Sequence, residues 1–453
     1  MTTSHPPLTD DAAPEAPDLR YPFSTKGDRL APELTELRTG CPVARVTTNT
    51  GNPAWLVTGY ELARHVLRDR AYARSVLAES DSPQQDAPIL APELLDAMNH
   101  LQAAGLRDEV LRTLGRNQPD LPADWVEQAT REGLAAMTGQ GGPGDLQRHF
   151  AEWVAAKCLC RTLGLPFEDH AWLAERADKD LTMSTYSDEE LARNWEEIRA
   201  YMAAHVAARR PGRPRGLADR LADLNADLNA DPDTGRDAAP GAGSGAGSGA
   251  GSGAGSGAGP ESGPGSLDER QLPRSLDERQ LSNILAVLFV SGYEDFASFL
   301  GVAALNLLRH PEAVEAVRSR PESLPQCVEE LLRYSVVLGN AIPRFVTQDT
   351  GLADAAVATG DLVLLSLDAA NFDPAAFPAP DTFDPARTPN PHLRFGYGRH
   401  HCPGAHLVRR QSETAFRVLL DTLPGLRLAV PVADVPWHPH RMAIMPAELP
   451  VTW

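Results

Sequence analysis

A lone cysteine set among glycines and basic side chains is the feature of this 453-residue chain with most capacity for chemistry. The run Phe395-Gly396-Tyr397-Gly398-Arg399-His400-His401-Cys402-Pro403-Gly404 ends where a helical pattern begins. Glycine tolerates positive φ and lets backbone N–H groups approach a sulfur that side chains would screen. Gly396, Gly398 and Gly404 therefore read as the residues that shape the turn, with Pro403 suited to a first helical turn. A thiolate at a helix N-terminus faces oriented amides and the positive dipole end, which lowers its pKa. No second Cys or His stands at zinc spacing, so the run reads as a single-thiolate metal ligand rather than structural zinc. The plainer alternative is a buried structural cysteine in a glycine-rich turn.

Two further groups carry charge in helical pattern. Glu330 and Arg333 lie three apart, where a carboxylate and a guanidinium pair on one face, and Phe383-Asp384-Pro385-Ala386-Arg387 follows. In the apolar stretch Leu285 to Leu300, the centre reads Ser291-Gly292-Tyr293-Glu294-Asp295. Ser291, Asp295 and Ser298 are spaced to share one helix face. Leu- and Ala-rich segments such as Asp188 to Arg210 and Leu281 to Arg309 have helical periodicity, and Ala54 to Thr58 alternates like a strand. The expected fold is mainly α with small β-sheets.

The pattern F-x-x-G-x-x-x-C-x-G at Phe395 to Gly404, followed by Ala405 and Leu407-Val408-Arg409, resembles the haem-binding signature of the cytochromes P450. That resemblance implies a haem b sandwiched between a long distal helix and the cysteine-loop helix, with the Cys402 thiolate as axial ligand. It extends over nearly all of the chain from about Tyr21. By the same resemblance Glu330, Arg333 and Arg387 form a structural cluster bracing the cysteine loop. Arg344, His400 and Arg107 match residues that bind haem propionates, and Phe395, Gly398 and Gly404 complete the cofactor loop. Catalysis falls to Asp295, Glu294, Ser291 and Gly292, the glycine leaving space for dioxygen. Asp295 stands where the family has a threonine that serves proton delivery; desolvation should raise its pKa toward a form able to donate, or, ionised, it could hold a cationic amine. Ser291 or Ser298 could replace the missing hydroxyl. Ala103 occupies the position of a propionate-binding histidine, and Phe372 that of a common arginine.

The resemblance implies a monooxygenase acting on a small organic molecule, in secondary metabolism, with electrons from a ferredoxin and ferredoxin reductase. A basic patch at Arg394, Arg399 and Arg409 is the expected docking surface. The alternative is a P450-fold enzyme that uses peroxide, an N–O bond or a rearrangement instead of dioxygen. Substrate contacts are expected from Leu181 to Tyr186, Leu288 to Phe299, Val336 to Ile342 and Arg441 to Met445, with Asp295 or Arg441 as the polar anchor, of undecided sign.

Sixty-one acidic against 42 basic side chains give a net charge of −19, which argues against a nucleic-acid partner. No run reads as a membrane span or signal segment, so a soluble, cytoplasmic protein is expected. The five cysteines show no disulfide framework. Residues 1–20 read as a disordered tail, and 21–453 as one catalytic domain interrupted by 231–274. That interruption holds four Gly-Ala-Gly-Ser units and a duplicated Ser-Leu-Asp-Glu-Arg-Gln-Leu, a composition with too little apolar surface to offset its ordering entropy.

Overall fold

The computed structural model describes residues 19–23, 26–73, 100–115, 123–182, 185–209, 215–230, 275–398, 401–439 and 441–453. The insertion 231–274, together with Arg399 and His400, lies outside the described residues. The strands are β1 (Arg20–Tyr21), β2 (Val43–Thr48), β3 (Pro53–Val57), β4 (Tyr72–Ala73), β5 (Gly144–Asp145), β6 (Ile342–Val346), β7 (Thr350–Leu352), β8 (Ala355–Val357), β9 (Leu362–Leu365), β10 (Arg427–Leu428) and β11 (Pro450–Thr452). Helices make up most of the rest, matching the expected class.

Six strands form a mixed sheet in the order β1-β2-β3-β9-β6-β4. The expected boundary of the tail at residue 20 needs correction, because Arg20 pairs with Thr47 and the Thr47 N–H donates to the Leu19 carbonyl at 2.8 Å. In this sheet β9 is buried at all four positions, which is why Leu362-Val363-Leu364-Leu365 reads as an unbroken apolar run. Its antiparallel partner β6 sets Arg344 opposite Val363, and that register carries the guanidinium into a 3% exposed position.

The long helix Glu278–Arg309 starts at a capping box, Asp277 accepting from the Gln280 N–H at 2.7 Å and Gln280 accepting from the Asp277 N–H at 3.0 Å. It is long and apolar enough to cross a membrane by length and composition, contrary to the sequence reading, but 72% of its most apolar stretch is buried inside the fold. It is a core helix, packed on Asp188–Ala207, on Trp153–Leu163 and on the π-helical turn Gln147–Glu152. One stripe escapes burial, Val287, Leu288, Ser291, Gly292 and Asp295. Their spacing of three and four residues marks one side of the helix. The helix Leu324–Tyr334 carries Glu330 and Arg333, and Ala405–Thr422 follows the cysteine loop.

Candidate active site

The cysteine loop is closed by backbone hydrogen bonds. Cys402 donates its N–H to the Phe395 carbonyl at 2.9 Å, Gly396 to Leu393 at 2.8 Å and His401 to Gly398 at 3.1 Å. Gly396 and Gly398 take φ of 70° and 73°, as the turn requires. Gly404 does not, because it sits at φ −80° as the helix N-cap. A Cβ there would lie 3.7 Å from the Cys402 sulfur, an ordinary van der Waals contact. The N–H groups of Gly404 and Ala405 act on the sulfur in the direction expected of a helix N-terminus. Burial outweighs them, however, and pushes the thiol up to about 11.

Beneath the loop the charged groups of the brace are paired, although Asn371 Nδ2 and Asn390 Oδ1 have no hydrogen-bond partner among the described residues. Glu330 and Arg333 are fully buried and make two hydrogen bonds, at 2.8 and 2.7 Å. Glu330 also accepts from Arg387 at 3.1 Å, from the Asp384 N–H at 3.1 Å and from Asn390 at 3.0 Å. Arg333 donates onward to the carbonyls of Asn371 and Pro380, both at 2.9 Å. The Asn371 side chain receives the Leu393 N–H at 2.7 Å, which carries the brace into the loop. Phe372 lies under the guanidiniums of Arg38 and Arg333, so the phenylalanine is a packing residue.

A second clamp escaped the sequence reading. Glu329 binds Arg409 at 2.5 Å and His392 at 3.1 Å. Burial raises its carboxyl, but these partners win and hold it down to about 2. Arg409 is thus committed to Glu329 and stacks 4.6 Å above Phe395. Arg394 is also misplaced as a surface cation, because its side chain is 6% exposed. It donates to the carbonyls of Leu332 and Ser335 and faces Asp368 at 3.3 Å. Asp368 in turn accepts the Leu338 N–H at 2.8 Å. Of the expected docking triad, Arg394 is therefore buried, Arg409 is paired with Glu329, and Arg399 lies outside the described residues.

The distal wall differs in kind. Asp295 has accessible surface although protein surrounds it. Burial lifts its pKa to about 6 against the pull of Arg394. Its charge is felt in turn at Cys402, so the long helix and the cysteine loop bring the two within electrostatic reach. Ser291, one turn earlier, is exposed to the same side. Ser298 is not available as a replacement hydroxyl, since it is fully buried and donates to the Ile444 carbonyl at 2.5 Å. A Cβ at Gly292 would meet the Leu159 side chain at 3.3 Å, so the glycine also admits the neighbouring helix.

Glu294 points away from Asp295 into a buried polar cluster. Burial pushes its carboxyl well above the ordinary range, the Asp295 charge adding to the effect. Its Oε1 has no hydrogen-bond partner among the described residues, nor do Asp178 Oδ1 and Arg441 Nη1. Arg441 binds Asp178 at 2.8 Å and is 9% exposed. Burial raises Asp178 as well, and with Asp178's charge adding to its own burial Glu152 reaches about 7. The Met442 N–H donates to the Leu181 carbonyl at 2.9 Å and the Ile444 N–H to Val337 at 2.9 Å. These bonds bring three of the expected substrate segments together. Sequence spacing carries no sign of the cluster, whose members come from four distant segments.

The site suits haem. The described residues hold no group of three or more His, Cys, Asp or Glu able to bind a metal ion, whereas one accessible sulfur flanked by two N–H groups faces the cavity. Arg344 is buried on β6 and Arg107 opens the helix Arg107–Leu114. His400, the third expected propionate partner, lies outside the described residues.

Known proteins agree with this geometry. Residues 321–424 match the Cytochrome P450 family. Mycocyclosin synthase of Mycobacterium tuberculosis is 31% identical over 96% of this chain and 98% of its own length. Mycinamicin IV hydroxylase/epoxidase of Micromonospora griseorubida is 30% identical over the same shares. The crystal structure of HinD with NMFT and NO superposes with a TM-score of 0.79 at 31% identity, covering 96% of this chain and 99% of that one. The chain belongs to the cytochrome P450 family, oxidoreductases whose cofactor is haem bound through a cysteine thiolate.

Proposed function

We propose that this chain is a monooxygenase of secondary metabolism that oxidises a small organic molecule at a haem held by Cys402. The observation that carries the reading is that Asp295 on the long helix lies within electrostatic reach of Cys402 in its glycine-shaped loop. Arg344, Arg107 and His400 take the haem propionates, a role that suits guanidinium forks. Haem bound by a thiolate supplies dioxygen activation, the sulfur pushing electron density toward O–O cleavage. Phe395, Gly398 and Gly404 shape the loop around the sulfur, and the Glu330, Arg333 and Arg387 brace keeps it rigid.

Asp295, Glu294 and Ser291 handle protons on the distal side. With a pKa of about 6, Asp295 changes protonation close to neutral pH, where a proton-transfer group works best. At pH 7 the carboxylate form prevails, so Asp295 accepts a proton before it donates one, unlike a threonine hydroxyl. Glu294, its carboxyl pushed well above the usual range by burial, backs Asp295 from the polar cluster.

Electrons come from a ferredoxin and its reductase, in the cytoplasm. A surface groove of about 780 Å³ beside the cysteine loop, lined by Tyr60, Arg64, Tyr397 and His401, supports docking there. Neither Cys402 nor Asp295 lines it, so it is not the reaction site. Arg64 donates to the Tyr397 hydroxyl at 3.0 Å, tying this rim to the loop. Arg68, exposed and packed against Gly398, and Arg410, exposed on the following helix, replace the buried Arg394 as basic contacts. Arg68→Glu should slow reduction by ferredoxin without changing the haem spectrum.

The test is reconstitution with ferredoxin and reductase. Dioxygen uptake, with the carbon-monoxide difference spectrum of a thiolate haem that Cys402→Ser abolishes, is the expected result. A thiolate spectrum with turnover only on added peroxide would favour the alternative, which the loss of the distal threonine and the Ala103 position motivates.

A further inference from the structure

We propose that the distal cavity selects substrates that carry a positive charge, with Asp295 as the group that binds it. This deepens the haem-thiolate reading and rests on it. Two residues compete for the role of polar anchor, and their partners separate them. Arg441 is spent, because it is 9% exposed, binds Asp178 at 2.8 Å and keeps its unpartnered Nη1 buried away from the cavity. Asp295 is accessible, and no hydrogen bond or ion pair holds its carboxylate among the described residues.

The surroundings give the sign. The stripe beside Asp295, made of Val287, Leu288, Ser291 and Gly292, brings no cation. Across the cavity, Met442 and Ile444 are apolar. The nearest fixed positive charge, Arg394, acts on Asp295 only through space and is engaged with Asp368 and two carbonyls. Glu294, the next residue, is buried in the polar cluster and brings no cation to the site. A carboxylate in such a place pays desolvation with no compensating pair. A ligand ammonium recovers that loss, and at low dielectric it recovers more than it would in water. A neutral ligand of the same shape leaves the carboxylate unpaired, and that difference is the basis of specificity. An amine or quaternary ammonium seated on Asp295 also places its adjoining carbons over the wall that carries Cys402, which is where oxidation takes place.

The test uses the haem-loaded enzyme and two probes, benzyltrimethylammonium and its uncharged carbon isostere neopentylbenzene. The quaternary nitrogen has no lone pair, so it cannot bind iron and imitate the effect. Calorimetry is expected to show the cation binding about tenfold more tightly, equal to about 1.4 kcal/mol. The preference should disappear in Asp295→Asn and in Asp295→Thr, the second serving if the first does not fold. Equal affinities in the wild type, or a preference that survives both substitutions, would overturn the proposal. The carbon-monoxide spectrum on the same samples reports separately whether the thiolate haem is present, so equal affinities in the wild type with that spectrum intact condemn only the cation site.

Discussion

Glu330 beneath the cysteine loop accepts hydrogen bonds from two arginines, an asparagine and a backbone N–H, whereas Asp295 across the cavity has none among the described residues. Both carboxylates sit deep in the fold. On the proximal wall each buried charge is matched, and the surroundings become a rigid frame for one sulfur. On the distal wall the acids outnumber their partners. Glu294, Asp178 and Glu152 are all raised, with burial as the leading cause. A network whose charges are paired stabilises and specifies, while one with unpaired acids holds groups ready to exchange protons or take a ligand.

Breaking the matched side should have the largest effect. Glu330→Gln leaves Arg333 and Arg387 buried beside a neutral amide, and a loss of about 3–5 kcal/mol in denaturant unfolding is expected. Loss below about 1 kcal/mol would mean that the brace is not the frame described. The distal side should respond in the opposite sense. Glu152 has a folded-state pKa of about 7, above its ordinary value. Between pH 4.5 and 7 the folded state therefore binds the extra proton, and stability falls as pH rises through that window. Glu152→Gln should stabilise the protein by about 1–3 kcal/mol at pH 8, with the gain fading toward pH 4. A gain that is the same at both pH values would remove the carboxylate as its source.

Asp295→Asn sharpens the contrast in function rather than stability. Under ferredoxin-driven turnover it should divert reducing equivalents to hydrogen peroxide, lowering the coupled fraction roughly tenfold, with the haem spectrum unchanged. Unaltered coupling would remove Asp295 from proton handling. The smallest effect is expected at Gly292. Alanine there gains about 1 kcal/mol of helix propensity and loses part of it to the Leu159 contact. A net change under about 1 kcal/mol, with unchanged dioxygen uptake, is the outcome of a packing glycine. A collapse of dioxygen uptake would return Gly292 to the catalytic wall.

The proximal side was largely legible before folding, and the distal side was not. The cysteine turn depends on residues adjacent in sequence, and Gly396 and Gly398 declare their φ requirement through their type alone. Glu330 and Arg333 meet because a helix sets residues three apart on one face. The packing role of Gly292 was hidden for a different reason. Which way a helix face turns depends on its neighbours, here Leu159 in a segment more than a hundred residues away. Arg394 looked like a surface cation for as long as Asp368 and the Leu332 and Ser335 carbonyls were unplaced.

From its sequence alone this protein already had a mostly helical class, a single thiolate ligand, its brace and an acid where the family has threonine, all features encoded by spacing within one segment. Only the tertiary structure decided that Ser298 is spent on Ile444, that Arg441 is spent on Asp178, and that Asp295 remains open. A side chain's chemistry is set by type, but its availability is set by what long-range packing places against it.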